Sequence, residues 1–263
     1  MPRSLKGYSL PFRFNDTTAL KKLISEHKGE IGAIVLESIR NDDADRAFID
    51  LLHEITQEQK IVFIVDEITA GFRLCVGGGH LKAGIRPDIA VFAKAIGNGY
   101  PIAAIIGKEH VMSAAQDSFI SSTYWTERIG PAAALATIHK IEQNGVIEHL
   151  GRIGKLVQEA WDAAARRHGL KIHVSGVYPL SHFDFLNEKP LVLKTLYTQL
   201  MLERGFLAST LFYSSYAHTP QIVANYAQKT DEAFAVIAEA LQNGKAEGML
   251  KGPVCHSGFT RLN

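Results

Sequence analysis

The chain has 263 residues, of which 46% are hydrophobic and 21% are charged, as in an ordinary globular protein with enough chain for one or two domains. Its net charge of +1 gives no reason to expect nucleic acid or an anionic membrane as a partner. It has only two cysteines, no stretch apolar enough to span a bilayer and no signal-type segment at the start, which favours a cytoplasmic protein without a disulfide framework.

The first elements in chain order predict a βαβ unit. A short helix is predicted after the segment Asn15–Thr17, which offers an N-cap, and the apolar run Ile31–Leu36 predicts a strand. An amphipathic helix is predicted over residues 45–59, directly before the β-branched and aromatic run Ile61–Val65. Since a strand–helix–strand connection is almost always a right-handed crossover, these strands are expected to lie parallel in one sheet.

Two of the apolar runs end at residues with reactive side chains. The strand Ile61–Val65 ends at an acid pair that begins with Asp66, and a second run, Ile89–Ala93, is followed by Lys94 and the glycine-rich turn Gly97–Pro101. Continuous apolar runs are typical of strands buried on both faces of a parallel sheet. Open α/β sheets bind ligands at the carboxyl ends of their strands, so we expect the carboxylate and the lysine to point into one crevice.

Asp66 and Lys94 suit a pyridoxal phosphate enzyme. Burial disfavours the ammonium form of a lysine, and a neutral amine can form a Schiff base with an aldehyde. The cofactor also needs a carboxylate against its pyridinium nitrogen, which keeps the ring protonated as an electron sink. The alternative is a structural salt bridge between the two residues at the sheet edge, because such pairs occur without any catalytic role.

Two other interpretations of this region lack the residues they need. The strand and acid pair also resemble the Walker B strand of a nucleotide hydrolase, but the sequence contains no G-x-x-x-x-G-K-[ST] loop. Cys75 and His80 flank a run of glycines, but one Cys and one His fall short of a zinc-binding set. We therefore predict no metal site and interpret the glycine run as a flexible loop near the pocket.

The next segment completes the predicted first domain. Ile102–Ile106 is predicted to be a further buried strand, and Ser118–Ser122 another. The alanine-rich segment Ile129–Gln143 predicts a helix. A domain change is predicted near Gly145, which divides the chain into residues 1–145 and 146–263.

The second predicted domain is small and of the α+β type. A long amphipathic helix is predicted over Val146–His168, followed by a β-like segment, Lys171–Phe185. Two further helices are predicted, Lys194–Arg204, which a glycine ends, and Ile222–Leu241.

The motif residues resemble a known family. DEITAGFR (residues 66–73) and PDIAVFAKAIGNGYPIAAIIG (residues 87–107) resemble the signature of the class III pyridoxal phosphate aminotransferases, and most of all the branch that contains glutamate semialdehyde aminomutase. The resemblance implies a fold type I large domain with a mostly parallel sheet, a small C-terminal α+β domain, pyridoxal 5'-phosphate as cofactor and a homodimer. It also implies that Asp66 is the partner of the pyridine nitrogen and Lys94 the Schiff-base lysine.

The same resemblance suggests a phosphate ligand. A Gly-Thr-Phe-Ser type segment precedes the helix Ile129–Gln143 in the family, and its threonine binds the cofactor phosphate, often that of the partner subunit. Alignment without gaps places Thr123 there; Thr126 is the alternative if the loop slips by three residues, and Thr123 could also be a simple strand-end or cap residue. The family usually has Glu-Pro where this chain has Glu37 and a serine, so Glu37 is given no role.

The family's phosphate-cradling loop and ring-stacking aromatic lie upstream of the strand that starts at Ile31. Residues 1–60 contain no substitute for that loop, so we expect the chain to be the C-terminal part of a longer enzyme. Two functions remain. The first is a pyridoxal phosphate aminotransferase or aminomutase that uses a small amino donor and a carbonyl acceptor. The second is a catalytically incompetent relative that acts as a binding or assembly subunit.

Overall fold

The computed structural model describes residues 3–39, 43–124 and 126–257. The chain divides into two compact units, residues 1–144 and residues 145–263, which we call unit 1 and unit 2. Across these described ranges, no helix combines the length and the apolar character needed to cross a bilayer.

Unit 1 alternates helices and strands along the chain. Its elements are α1 (Thr17–Glu26), β1 (Ala33–Glu37), α2 (Arg46–Glu58), β2 (Val62–Asp66), α3 (Gly79–Ala83), β3 (Ile89–Phe92), β4 (Ala104–Gly107), α4 (Glu109–Met112) and α5 (Ile129–Gln143). Short 3-10 turns occur at Arg3–Leu5, Lys94–Ile96 and Ser113–Asp117. The short helix predicted near Asn15–Thr17 is confirmed, since the side chain of Asp16 accepts a hydrogen bond from the Ala19 amide at 2.8 Å.

The strands of unit 1 form one sheet in the order β1-β2-β3-β4. β1, β2 and β3 are parallel, and β4 pairs antiparallel with β3. The predicted α/β class with a mostly parallel sheet is therefore confirmed. β2 lies between two hydrogen-bonded neighbours, so the residue that ends it is held from both sides.

Only one face of this sheet is covered. Helices α1 and α2 pack against it, and Phe63 and Val65 of β2 join their core. The opposite face, which carries Val62 and Ile64, is half-buried at β2. On that face the side chains of Val35 and Ile105 are 57% and 60% exposed. The prediction that the β2 strand is buried on both faces is thus wrong for the described residues.

Two predicted strands of unit 1 differ from the structure. The segment predicted as a buried strand over Ile102–Ile106 is β4, an edge strand whose Ile105 and Ile106 are both exposed, because β4 has a neighbour on one side only. Residues Ser118–Ser122 are exposed and irregular rather than a strand. Apolar residues predict a strand only where a partner is available to pair with them, and this segment pairs with none of the described strands.

Unit 2 is an α+β arrangement. Its elements are α6 (Val146–His168), β5 (Ile172–Ser175), β6 (Leu180–Phe185), α7 (Pro190–Glu203), β7 (Leu211–Tyr213) and α8 (Pro220–Gln242), with a 3-10 turn at Glu247–Met249. The three strands form an antiparallel sheet in the order β5-β6-β7. Helix α7 begins earlier than the predicted Lys194 because Pro190 occupies the first helical turn, where a missing amide costs nothing.

Candidate active site

The site predicted from the sequence lies at the carboxyl edge of the sheet in unit 1. Asp66, the last residue of β2, is paired with Val91 of the parallel strand β3, and the Glu67 amide donates a hydrogen bond to the Val91 carbonyl at 2.8 Å. Lys94 is the third residue after Val91. Since both strands run in the same direction, Asp66 and Lys94 leave the sheet at the same edge.

One oxygen of Asp66 organises the loop that follows. Its Oδ1 accepts a hydrogen bond from the Ile68 amide at 2.8 Å, a local turn that an aspartate favours. Within the described ranges, Oδ2 has no hydrogen-bond partner, and the residue is half-buried. The carboxylate is therefore positioned by one oxygen while the other remains available to a ligand.

Lys94 has a defined backbone and side-chain position. Its φ angle is +52°, a left-handed conformation that is uncommon for a residue with a side chain and that recurs at active sites. Its Nζ donates a hydrogen bond to Oγ1 of Thr69 at 2.9 Å. Lys94 is exposed, so the expectation of a buried lysine is wrong for the described part of this chain, in which the sheet edge that carries it is open.

The glycine turn after Lys94 leaves no space for a side chain. A Cβ at Gly97 would lie 2.3 Å from the Tyr100 carbonyl oxygen and 2.7 Å from a methyl group of Ile102. Helix α5 packs against the 3-10 turn Lys94–Ile96 that precedes this glycine. The close packing around Gly97 and the packing of α5 on the 3-10 turn explain how Lys94 keeps its left-handed backbone conformation after β3.

Thr69 was not predicted from the sequence as a member of the site. It lies in the loop after β2, its side chain is 8% exposed, and its carbonyl oxygen accepts a hydrogen bond from the guanidinium group of Arg73. Arg73 therefore braces this loop. The only signal for Thr69 in the sequence was a hydroxyl residue three positions after Asp66.

Glu67 fastens the glycine run to the end of β2. It is fully buried and accepts hydrogen bonds from the amides of Gly79 and His80, both at 2.7 Å, and from Nδ1 of His80 at 2.8 Å. Burial alone would raise the pKa of Glu67, but the hydrogen bonds from His80 and Gly79 outweigh it and the pKa is lowered. The glycine run was interpreted as a flexible loop; instead, its end at Gly79 is hydrogen-bonded to a buried carboxylate.

The structure does not bring Thr123 into contact with Asp66 or Lys94. Thr123 is exposed in a turn ahead of α5, where the Tyr124 amide donates to Oγ of Ser122 at 3.1 Å. Thr126, the alternative phosphate ligand, is also exposed. Both threonines precede the helix that packs on the Lys94 turn.

Comparisons with known proteins identify the family that the chain matches. The family model for the class III aminotransferases matches residues 12–241. A glutamate-1-semialdehyde 2,1-aminomutase of Methanocaldococcus jannaschii is 29% identical over 264 residues, which covers 92% of this chain and 61% of that protein. A 2'-deamino-2'-hydroxyneamine transaminase of Streptomyces kanamyceticus is 31% identical over 184 residues, which covers 70% of this chain and 46% of that protein.

A solved structure is similar over most of the chain. The PLP internal aldimine form of the FumI protein of Sphingopyxis sp. MTA144 superposes with a TM-score of 0.83 at 25% sequence identity, and the match covers 89% of this chain and 58% of that one. The chain thus spans about half to three fifths of the length of the relatives it matches.

Proposed function

The chain belongs to the class III aminotransferase family, and from this membership we propose that it contributes the Schiff-base lysine and the ring-nitrogen carboxylate of a pyridoxal 5'-phosphate site. The observation that carries the proposal is the position of Asp66 at the carboxyl end of β2 and of Lys94 just after the carboxyl end of the adjacent parallel strand β3. A structural salt bridge is the weaker interpretation, because Nζ of Lys94 is hydrogen-bonded to Thr69.

The chemistry of these side chains fits the cofactor. Lys94 supplies a primary amine for the cofactor aldehyde, and Asp66 supplies a carboxylate oxygen for the pyridine nitrogen. We propose that Thr123 binds the phosphate group, with Thr126 as the alternative. When bound, pyridoxal phosphate supplies an electron sink for the carbanion formed at the substrate α-carbon.

The amine of Lys94 has a second role in this proposal. With the cofactor and substrate bound, the amine of Lys94 would be the general base that takes the proton from the substrate α-carbon and holds it on Nζ. Lys94 is exposed in unit 1, and its amine is held by a hydrogen bond to Thr69, a neutral partner, which can break when the amine changes its role. The reaction is the transfer of an amino group between a small amino compound and a carbonyl acceptor.

The substrate class follows only broadly from the relatives. One is named a glutamate-1-semialdehyde 2,1-aminomutase and another a 2'-deamino-2'-hydroxyneamine transaminase, at 29% and 31% identity. We propose a semialdehyde or a sugar-linked carbonyl as the acceptor. Spectra of the cofactor-loaded chain against a panel of amino donors test this, and no spectral change with any donor would contradict transamination.

Covalent trapping tests the site itself. The chain is mixed with pyridoxal 5'-phosphate, reduced with borohydride and digested, and mass spectrometry identifies the lysine that carries the pyridoxyl group. We expect the label at Lys94. A label on another lysine would contradict the assignment, and no label at all would favour the alternative of a binding or assembly subunit.

We also propose that the protein is a cytoplasmic homodimer. Apolar side chains are strongly exposed around the start of α5, with Phe119 97%, Tyr124 71% and Ile129 61% exposed. An exposed apolar patch is typical of an interface, and a second copy of the chain is the family's partner. The two cysteines are free, as expected in a reducing compartment. Sedimentation of the purified chain tests the dimer, and a soluble monomer would contradict it.

A further inference from the structure

The hydroxyl group of Thr69 connects the two strand ends of the site. Its Oγ1 accepts the hydrogen bond from Nζ of Lys94 at 2.9 Å. Thr69 is almost fully buried, whereas Lys94 is exposed. The hydroxyl of the buried Thr69 therefore holds the amine at the end of the exposed Lys94 side chain.

The position of Thr69 is itself determined by its neighbours. Asp66 ties down the start of the loop through the Ile68 amide, and the Gly71 amide donates to the carbonyl oxygen of Glu67 at 2.8 Å. The guanidinium group of Arg73 binds the carbonyl oxygen of Thr69. Because this loop starts at Asp66, any group that Thr69 holds is placed relative to the Asp66 carboxylate.

We propose that Thr69 is a positioning residue that holds the amine of Lys94 against the loop that follows Asp66. The inference rests on the proposed function. A lysine side chain has a long flexible stem, and an exposed lysine loses much rotamer freedom when its amine must be in one place. The hydrogen bond to Thr69 lowers this entropic cost before the reaction begins, since it already holds the amine in one place.

A hydroxyl is chemically suited to this task. Nζ of Lys94 donates to Oγ1, and a nitrogen that donates to a hydroxyl does not use its lone pair in that hydrogen bond, so the lone pair is not blocked when the amine attacks an aldehyde. A carboxylate at position 69 would instead stabilise the ammonium form by its opposite charge and oppose that attack. The neutral acceptor of Thr69 orients the amine without this penalty.

The test measures how fast pyridoxal 5'-phosphate labels individual lysines. The full chain is treated with the aldehyde, reduced with borohydride at short times and mapped by mass spectrometry. The rate at Lys94 is divided by the rate at Lys108, an exposed lysine that is hydrogen-bonded to Asp88. This ratio cancels differences in protein concentration and reagent.

The variants separate the hydroxyl from the packing of its side chain. Thr69→Val keeps the shape and is expected to lower the Lys94 to Lys108 ratio about fivefold to tenfold, the effect of one hydrogen bond. Thr69→Ser keeps the hydroxyl and is expected to stay within about twofold of the unchanged chain. Thr56→Val is the matched control, since Thr56 is equally buried and its hydroxyl bonds only to the backbone of α2.

Three results would overturn the inference. The ratio could be unchanged in Thr69→Val, or Thr69→Ser could fall as far as Thr69→Val, which would assign the effect to packing. In either of these two cases the unchanged chain still carries the pyridoxyl label at Lys94, so the proposed function would stand. If the unchanged chain carries the label on a lysine other than Lys94, the proposed function and the inference both fail.

Discussion

Glu67 and His80 form a buried pair that joins the end of β2 to the start of α3. Oε1 of Glu67 lies 2.7 Å from the amide of His80 and 2.8 Å from its Nδ1, and the glutamate side chain is completely buried. The residue before Glu67 is Asp66. The pair therefore anchors the loop that surrounds the proposed cofactor carboxylate.

The first prediction concerns the charge of Glu67. Glu67→Gln keeps one accepting oxygen but replaces the other by an NH2 group, which cannot accept the hydrogen bond that this oxygen receives from the amide of Gly79 or of His80. We expect the free energy of unfolding to fall by about 1 to 3 kcal/mol, the cost of leaving buried donors unsatisfied. Urea unfolding measures it. Glu30→Gln is the control, since Glu30 is exposed and pairs with His27 at the surface; an equal loss in both variants would contradict the prediction.

The second prediction is that the contribution of the Glu67 carboxylate to the free energy of unfolding depends on pH. The folded-state pKa of Glu67 is lowered from the ordinary value of 4.5, so the unfolded chain binds the proton more readily. The stabilisation is complete above about pH 4.5 and is lost as the pH falls through the lower folded-state pKa. The difference in unfolding free energy between the unchanged chain and Glu67→Gln should shrink in that window. A difference that is constant down to strongly acid pH would refute this.

The third prediction tests the turn after Lys94. Gly97→Ala places a Cβ against the Tyr100 carbonyl oxygen and Ile102, so the turn must shift. We expect a loss of about 1 to 3 kcal/mol in unfolding free energy, as for overpacking, and slower labelling of Lys94 by pyridoxal 5'-phosphate. Gly32→Ala is the control because nothing lies within 4 Å of the added Cβ. Unaltered stability and labelling in Gly97→Ala would show that the turn does not position Lys94.

The fourth prediction separates the roles of the two site residues. Lys94→Ala should abolish the borohydride-trapped adduct, because the amine is gone. Asp66→Ala should keep an adduct at Lys94 and slow the half-reaction with an amino donor by about 100-fold, the scale of losing one preorganised electrostatic group. Lys108→Ala is the control and should change neither the adduct at Lys94 nor the rate of the half-reaction. The assignment fails if Asp66→Ala and Lys94→Ala lose the adduct equally.

The fifth prediction concerns the core of unit 2. The hydroxyl of Tyr226 accepts from the indole of Trp161 at 2.8 Å and lies 3.0 Å from the hydroxyl of Tyr197, and all three side chains are buried. Tyr226→Phe leaves the indole donor without its acceptor, which should cost about 1 to 3 kcal/mol. Thermal unfolding measures the loss. The exposed Tyr178, changed to Phe, should have almost no effect; similar shifts in both variants would argue against the network.

The sequence by itself determined the order of elements and the edge at which Asp66 and Lys94 meet. Apolar runs separated by an amphipathic helix require a crossover, and a crossover makes the strands parallel. Parallel strands bring their carboxyl ends to one edge, so the residues that end β2 and β3 became neighbours without any knowledge of contacts. The boundaries of α5 and α6 were also predicted, α5 from its alanine-rich composition and α6 from an apolar stripe that recurs at helical spacing along its length.

Only the tertiary structure decided how these residues are held. The hydrogen bond from Lys94 to Thr69 and the burial of Glu67 against His80 depend on the path of an irregular loop, which has no periodicity to predict it. The exposure of a side chain also depends on the elements packed around it. The apolar residues of β4 predict a buried strand, yet Ile105 and Ile106 are exposed on an edge strand. Apolar residues specify that a strand can form, whereas the elements packed around it determine which side chains are covered.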